Sequence, residues 1–266
     1  MSILEALILG IIQGLTEFLP VSSSGHLELG KAILGDDLEA GESMLFTIAL
    51  HGATALSTMV VFRKDIAELF KGLLEFKWNE STKFTALIAV SMVPVFFVGV
   101  LLKDQIELLF EGNLLLVGCS LLFTALLLYS TTRIPASGGK VNFANALLIG
   151  FSQAIAVLPG VSRSGSTIST ALLAGVSRER AARFSFLMVL PVIFGAMILE
   201  CKDFVEEGAT QNIDTFALLT GFIAAFISGI LACQWMIALV KKSKLDYFAY
   251  YCLIVGLLAI CYSLLA

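Results

Sequence analysis

The sequence predicts an all-α integral membrane protein with an inverted-topology repeat, in which each half is a re-entrant helical hairpin followed by three transmembrane helices. Of the 266 residues, 58% are hydrophobic and only 14% are charged, whereas a soluble domain has about 25% charged residues. Several apolar runs approach the roughly 20 residues that a helix needs to cross a bilayer. Finally, one short polar segment recurs 140 residues further along the chain.

The first copy of this segment is QGLTEFLPVSSSGH, residues 13–26. At a constant offset of 140 residues, seven positions carry the same residue in both copies: Gly10 and Gly150, Gln13 and Gln153, Val21 and Val161, Ser22 and Ser162, Ser24 and Ser164, Gly25 and Gly165, and Gly35 and Gly175. A match without gaps indicates a duplication. It predicts a single membrane domain, 1–266, with one half at about 1–135 and the other at about 140–266.

Each copy lies in a hairpin whose arms are too short to cross the membrane. Residues 3–19 form an apolar arm that ends at Pro20, because proline lacks a backbone donor and disfavours helix in the residue before it. A second arm covers about 26–34, and the second hairpin covers about 142–175. Two short arms around a polar turn predict a re-entrant hairpin, which is tolerated at membrane depth only inside protein or beside a wet cavity.

Three apolar segments follow each hairpin and predict six crossings, at residues 44–62, 84–102, 112–132, 184–199, 215–240 and 247–266. An odd number of crossings in each half inverts the second half relative to the first, which is the arrangement of many transporters. We expect the chain to be inserted without loss of a signal peptide, because its apolar N-terminus carries Glu5 and has no basic region before it.

The basic residues predict the orientation. Of the 17 lysines and arginines, 13 fall on one side of the predicted topology, Arg163 lies in the second turn, and only Lys31, Lys103 and Lys202 fall on the other side. Basic loops are cytoplasmic by the positive-inside rule. Both termini and the mouth of the first hairpin are therefore expected on the outer side, and the second hairpin is expected to enter from the cytoplasm.

The first hairpin carries a carboxylate and a cluster of serines. Gln13 and Glu17 are four residues apart, so they share one helix face. A carboxylate inside a membrane segment usually marks a functional site, although Glu17 could instead cap the hairpin. The turn formed by Ser22, Ser23, Ser24 and Gly25 opens a helix, where hydroxyls and free N–H groups favour an anion. A simple helix cap is the alternative.

The second hairpin carries a cation at the equivalent turn. Arg163 is flanked by four hydroxyl residues, Ser162, Ser164, Ser166 and Thr167. A guanidinium binds phosphate oxygens through two parallel hydrogen bonds, so Arg163 indicates a phosphate site; a structural pair with Glu17 is the alternative. His26 is a candidate general acid or base, or a core residue with satisfied hydrogen bonds. His51 is expected to be structural.

Other classes of site find no support. The five cysteines occur singly, mostly in apolar runs, without metal or redox spacing, and are expected to pack as small apolar residues. No basic cluster interleaved with aromatic residues indicates a nucleic-acid partner.

These two segments resemble the signatures of the undecaprenyl pyrophosphate phosphatases of the bacitracin-resistance type. The first signature is an (E/Q)-x-x-x-E helix leading into FLPVSS(S/T)GH, and the second is PG-x-SRS-G-x-T; here they span 13–26 and 159–167. The resemblance covers the whole chain in length and segment order. It implies hydrolysis of C55 isoprenyl pyrophosphate to the monophosphate, which recycles the carrier lipid of cell-wall synthesis. It also implies a divalent metal, Mg²⁺ or Ca²⁺, and a site open to the outer face of the bacterial inner membrane.

Position by position, the resemblance makes Ser23 the nucleophile, Glu17 the second acid of the first signature, His26 its histidine and Arg163 the phosphate-binding arginine. Gln13 takes the neutral option at the first acidic position, so it could bind the metal beside Glu17 but could not act as a base. The expected phosphate-binding residues are Ser22, Ser24, Gly25, Ser162, Ser164, Ser166 and Thr167.

Two alternatives stay open at the level of sequence. Metal-activated water could replace the serine as nucleophile. A transporter or flippase of a lipid phosphate or small anion could use the same inverted-repeat site. The expected partners are the lipid pyrophosphate and membrane lipids, and a homodimer is neither required nor excluded.

Overall fold

The computed structural model describes residues 1–34, 40–102, 105–106, 108–110, 113–135, 137–206 and 214–265. These residues form eleven α-helices: α1 (Ile3–Phe18), α2 (Ser23–Leu34), α3 (Ala40–Val61), α4 (Arg63–Leu73), α5 (Glu80–Leu101), α6 (Leu114–Thr131), α7 (Phe143–Ile155), α8 (Arg163–Leu173), α9 (Arg178–Glu206), α10 (Thr215–Lys241) and α11 (Asp246–Leu265). A short 3-10 helix, Leu108–Phe110, lies between α5 and α6. The all-α prediction is confirmed. Gly35 and Lys103, used above for the repeat and the orientation, lie outside the described residues.

The two predicted hairpins are the helix pairs α1–α2 and α7–α8. Their helices have 16, 12, 13 and 11 residues, fewer than the roughly 20 needed to cross a bilayer. Pro20 ends α1 as expected, since Leu19 before it has extended backbone with φ −68° and ψ 143°. The predicted start of the second arm near His26 is wrong, because α2 begins at Ser23. The Ser22 hydroxyl accepts a hydrogen bond from the Gly25 N–H, and this cap moves the helix start toward the N-terminus.

Five helices in the described part of the chain are long and apolar enough to cross a membrane: α5, α6, the Arg178–Lys202 portion of α9, α10 and α11. Leu45–Val61 of α3 and α4, which are bent by 77° from each other, give a sixth span if the pair counts as one. These helices coincide with the six predicted crossings. The protein is therefore a multi-pass membrane protein.

Each hairpin packs against a span of the other half of the chain. In the first half, α1 lies along α10, and a Cβ at Gly10 would collide with the Gly221 carbonyl. In the second half, α7 lies along α5, and a Cβ at Gly150 would collide with the Ser91 carbonyl. Small residues allow this close backbone approach between membrane helices. Helices α5 and α10 are each the middle span of their predicted half.

The inversion of the two halves is tested by labelling. In a cysteine-free variant, single cysteines at the exposed positions Ser2 and Lys140 should react with a membrane-impermeant thiol reagent from opposite faces, because the three predicted crossings of the first half separate them. Right-side-out and inverted vesicles provide the two faces. Reaction of both positions in the same vesicle type would contradict the inverted arrangement.

Candidate active site

The turn of the first hairpin holds its serines in a fixed arrangement. Ser22 has a positive φ of 70°, a left-handed conformation that residues other than glycine rarely adopt and that is common at functional sites. Its hydroxyl lies 3.3 Å from the Gly25 nitrogen and 3.3 Å from the Ser24 hydroxyl, and its carbonyl accepts the His26 N–H at 3.2 Å. Ser23 is thereby fixed as the first residue of α2.

The turn of the second hairpin repeats these contacts at the offset of 140 residues. The Ser162 hydroxyl accepts a hydrogen bond from the Gly165 N–H at 3.0 Å and lies 3.3 Å from the Ser164 hydroxyl. The Ser162 carbonyl accepts the Ser166 N–H at 2.8 Å. The two turns therefore share the same cap hydrogen bonds, although the backbone is left-handed at Ser22 and extended at Ser162, with φ −73°. Arg163 takes the position in α8 that Ser23 takes in α2.

The two turns contact each other directly. The Ser164 hydroxyl donates to the Leu19 carbonyl of the first hairpin at 3.2 Å. A Cβ at Gly25 would lie 3.1 Å from the Gly160 Cα, and a Cβ at Gly165 would lie 3.2 Å from the Pro20 Cβ. The glycines therefore allow the tips of the hairpins to meet, and the two polar turns form one site.

Glu17 connects the reactive groups of both hairpins. Its Oε1 accepts a hydrogen bond from Arg163 Nη2 at 2.6 Å, and its Oε2 accepts one from the Ser23 hydroxyl at 2.8 Å. The Gln13 amide also donates to Oε2, at 3.2 Å. The ion pair is largely shielded from solvent, with 10% of the Glu17 side chain and 15% of the Arg163 side chain exposed. One carboxylate thus contacts a hydroxyl from one hairpin and a guanidinium from the other.

A small cavity lies where the turns meet. Its volume is about 60 Å³, and it is lined by Thr16, Glu17, Ser22, Ser23, Ser24, Ala156, Val161, Ser162, Arg163 and Ser164. By the roughly 10–15 Å³ that one water occupies on this measure, the cavity has room for a few waters. A phosphate-sized group is therefore the largest ligand part that it could enclose, and a long apolar chain would have to lie outside it.

The chain that forms this site matches the model of one known protein family. Residues 6–258 match the family model described as bacitracin resistance protein BacA. The chain belongs to this family.

Three relatives match nearly the whole chain. A protein of Christiangramia forsetii is 60% identical over 264 residues, which cover 99% of each chain. One from Bacteroides fragilis is 51% identical over 261 residues, 97% of each chain, and one from Methanosphaera stadtmanae is 40% identical over 283 residues, 99% of each chain. All three carry the name undecaprenyl-diphosphatase.

Most of the site residues expected from the BacA signatures come together in the structure. Seven of them line the cavity: Glu17, Ser22, Ser23, Ser24, Ser162, Arg163 and Ser164. Gly25 and Gln13 lie directly behind it, through contacts with Ser22 and Glu17. Thr167 is directed elsewhere, because its hydroxyl donates to the Arg163 carbonyl at 2.9 Å and lies 2.6 Å from the Ser185 hydroxyl.

His26 is turned away from Ser23. Its Nδ1 lies 2.8 Å from the Ser22 carbonyl, which can only accept, so Nδ1 carries the hydrogen and donates it. Its Nε2 then accepts from the Tyr251 hydroxyl at 2.8 Å, and the two rings are stacked at 5.5 Å. With both ring nitrogens occupied, His26 holds the first turn of α2 against α11. Glu17, not His26, is the group within hydrogen-bond distance of the Ser23 hydroxyl.

The metal expected for BacA proteins can be tested against the donors in the site. Gln13 Oε1 is buried and has no hydrogen-bond partner in the described part of the chain, and it lies on the same helix face as the Glu17 carboxylate. Among the described residues, no group of three or more His, Cys, Asp or Glu side chains could hold a metal by itself. Mg²⁺ commonly uses one or two protein oxygens together with substrate phosphates. Gln13 and Glu17 fit a metal of that kind.

The sequence did not identify two groups near the site. His51, expected to be structural, lies in α3 with its Nδ1 3.7 Å from Glu200 Oε2 of α9, and it interacts electrostatically with both Glu17 and Arg163. Tyr251 contacts His26 from α11. An ionisable residue within an apolar span is a signal that would have marked His51, whereas nothing in the sequence connects Tyr251 with the first hairpin.

Proposed function

We propose that this protein is an undecaprenyl-diphosphatase, which hydrolyses undecaprenyl diphosphate to undecaprenyl phosphate and inorganic phosphate. The observation that carries this proposal is the Glu17 carboxylate, which contacts the Ser23 hydroxyl and the Arg163 guanidinium together. The names of the relatives, up to 60% identical over nearly the whole chain, supply the substrate. The site is expected to open toward the outer face of the bacterial inner membrane.

In the first step, the Ser23 oxygen attacks the terminal phosphorus. The hydroxyl proton passes to Glu17 Oε2, which lies 2.8 Å from the Ser23 oxygen, so no rearrangement is needed before the transfer. The bond from the terminal phosphorus to the bridging oxygen breaks, and undecaprenyl phosphate leaves. Ser23 then carries the phosphoryl group.

Arg163 stabilises the charge on the reacting phosphoryl group. Its Nη2 is paired with Glu17, whereas its buried Nη1 has no hydrogen-bond partner among the described residues. A buried donor without a partner is costly, so Nη1 is available for a phosphate oxygen. The ion pair with Glu17 holds the guanidinium beside Ser23 before substrate arrives, which lowers the reorganisation needed during the reaction.

In the second step, water hydrolyses the phosphoserine. Glu17 first gives its proton to solvent and is again a carboxylate. It then accepts a proton from the attacking water and returns one to the Ser23 oxygen as the bond between that oxygen and phosphorus breaks. Inorganic phosphate leaves and Ser23 is regenerated. Direct attack by water on the lipid diphosphate is the alternative, and the Ser23 variant described in the Discussion separates the two.

A divalent metal, Mg²⁺ or Ca²⁺, would be held by Gln13 Oε1 and the Glu17 carboxylate together with substrate oxygens, and would neutralise negative charge on the diphosphate. We expect turnover to be lost in excess chelator and to return when the cation is added back. Binding of the cation alone can be followed by the change in thermal unfolding temperature, which Gln13→Leu should abolish while Glu5→Gln should not. Full turnover in chelator would contradict the metal.

Replacing Arg163 with lysine is expected to lower turnover by about tenfold or more. Lysine keeps the positive charge, but an ammonium cannot form the planar pair of hydrogen bonds that a guanidinium makes with phosphate. Steady-state release of phosphate from the lipid diphosphate measures the effect. Arg178→Lys, which alters a guanidinium bonded to the Ile134 carbonyl, is the matched control and should retain most of the activity. Equal losses in both variants would contradict a specific role for Arg163.

A transporter or flippase is the remaining alternative, because the predicted architecture occurs in transporters. The names of the relatives give it no support. Phosphate release by the purified protein in detergent tests the enzyme directly, because no membrane separates two compartments there and transport cannot be the cause. Absence of release under conditions in which the protein binds the lipid would contradict the proposed function.

A further inference from the structure

A second, larger cavity lies away from the hairpin turns. Its volume is about 350 Å³, and it is bounded by α4, the first turns of α5 and α9, and the segment before α7. It shares no lining residue with the cavity that holds Ser23. Since α5 and α9 are membrane spans that begin beside this cavity, the cavity lies at one surface of the membrane. The distribution of basic residues predicts that this surface is cytoplasmic.

Four cations line this larger cavity and make it a basic pocket: Lys83, Lys140, Arg180 and Arg183. Two carboxylates, Glu68 and Glu80, line it as well. With Asp65, which pairs with Arg183, the cations outnumber the acids by four to three. The concave shape brings charges from four separate segments around one space. A pocket of this kind favours an anion over a neutral or cationic ligand.

The two guanidiniums are held in place before any ligand binds. Arg183 Nε lies 2.5 Å from Asp65 Oδ1, and the guanidinium sits 5.2 Å from the centre of the Phe84 ring. Arg180 Nη1 donates to the Gly138 and Gly139 carbonyls at 2.7 and 3.1 Å. Each of these contacts leaves further N–H donors on the same guanidinium. An arginine in a fixed orientation is well suited to bind a phosphate group through two parallel hydrogen bonds, as a bidentate donor.

The two lysines complete the pocket. Lys83 and Lys140 are exposed, and neither has an ion-pair partner among the described residues. Lysine supplies a compact charge on a flexible stem, so both can move toward an anion that the arginines orient. The pocket thus contains preorganised donors and unpaired charge, which together fit a phosphate group.

We propose that the basic pocket binds the phosphate of an anionic phospholipid headgroup. The neighbouring segment favours a lipid over free phosphate. Phe76 and Trp78, between α4 and α5, are 92% and 68% exposed, and aromatic residues of this kind are enriched at the level of the headgroups. Phe84 and Leu87 add an apolar wall to the pocket, which the glycerol and upper acyl chain can contact. Basic pockets between membrane helices on the cytoplasmic side commonly bind such headgroups.

The test compares lipid binding by the full-length protein and by a double variant, Lys83→Gln with Lys140→Gln. Protein in detergent is titrated with phosphatidylglycerol, and the thermal unfolding temperature gives the half-saturating concentration. Each basic residue contributes measurably to the attraction of an anionic lipid, so we expect this concentration to rise about tenfold in the double variant. Phosphatidylcholine, which has no net charge, should have little effect on either protein.

The matched control is a second double variant, Lys71→Gln with Lys242→Gln, which removes two exposed lysines from the same predicted side but outside the pocket. It should bind phosphatidylglycerol within about twofold of the parent. Unchanged binding in the Lys83 and Lys140 variant, or equal weakening in both variants, would overturn the proposal. Because Ser23, Glu17 and Arg163 are intact in both variants, lipid bound at the hairpin cavity cannot produce a difference between them.

A separate titration with inorganic phosphate at constant ionic strength distinguishes the two sources of the phosphate group. We expect inorganic phosphate not to raise the thermal unfolding temperature at concentrations at which phosphatidylglycerol saturates the protein. If inorganic phosphate stabilises the parent and this effect is lost in the Lys83 and Lys140 variant, the proposed lipid ligand is wrong and the basic pocket binds free phosphate.

Discussion

Replacing Ser23 with alanine is expected to reduce turnover at least about a hundredfold while leaving lipid diphosphate binding nearly unchanged. The substitution removes the attacking oxygen and one hydrogen bond to Glu17. It leaves the Glu17–Arg163 pair and the neighbouring hydroxyls in place, so the site keeps its charge and shape. Single-turnover phosphate release measures the chemical step, and equilibrium binding of the lipid diphosphate measures affinity.

Ser24→Ala is the matched control, because Ser24 is the next residue of the same helix turn and its hydroxyl contacts Ser22 rather than Glu17. It should lose only a few fold in rate. If Ser23→Ala also retains activity within a few fold of the parent, the phosphoserine is excluded. Attack by water then becomes the mechanism, with Glu17 accepting the proton of that water.

Glu17→Gln is expected to lose turnover by about 10²- to 10⁴-fold, because an amide cannot accept the proton of Ser23. Unlike the Ser23 variant, it should also lower stability. It leaves the guanidinium of Arg163 without a counter-charge in a largely buried position, which costs roughly 3 kcal/mol. Inorganic pyrophosphate should therefore raise the thermal unfolding temperature of this variant more than that of the parent, because the anion replaces the missing charge beside Arg163.

Glu5→Gln provides the control for Glu17→Gln on the same helix. Glu5 caps the start of α1 through the Ser2 N–H at 2.8 Å, and glutamine can take that role in a capping box. Activity and stability close to those of the parent are expected. If Glu17→Gln turned over at a near-normal rate, His26 would have to move toward Ser23 and act as the base.

The residues of the site could be predicted from sequence because polar groups stand out in an apolar chain. Glu17 and Arg163 are conspicuous for their cost in a membrane segment, and the repeat places Ser23 and Arg163 at equivalent positions. The contacts between them could not be predicted. Glu17 and Arg163 are 146 residues apart, and sequence alone left their direct pairing as an alternative to phosphate binding. In the structure they are paired, and the same carboxylate also contacts Ser23.

The predicted spans also correspond to observed helices, since a long apolar run has little choice but to form a helix in a bilayer. Details that depend on local hydrogen bonds or on packing between distant residues could not be predicted from the sequence. The start of α2 at Ser23 depends on the hydrogen bond by which the Ser22 hydroxyl caps the Gly25 N–H. The orientation of His26 depends on Tyr251, 225 residues away. Periodicity and composition carry no information on either.

The close packing of α1 on α10 affects how the protein is made. Helix α1 leaves the ribosome before α10 and docks against it once α10 follows, about 200 residues later, with backbones in contact at Gly10 and Gly221. At about 5–20 residues per second, α1 waits roughly 10–40 s for its partner. During that interval Gln13 and Glu17 lack the buried surroundings that they have in the finished protein. The first hairpin, although it is synthesised well before α10, is thus completed only when α10 has docked.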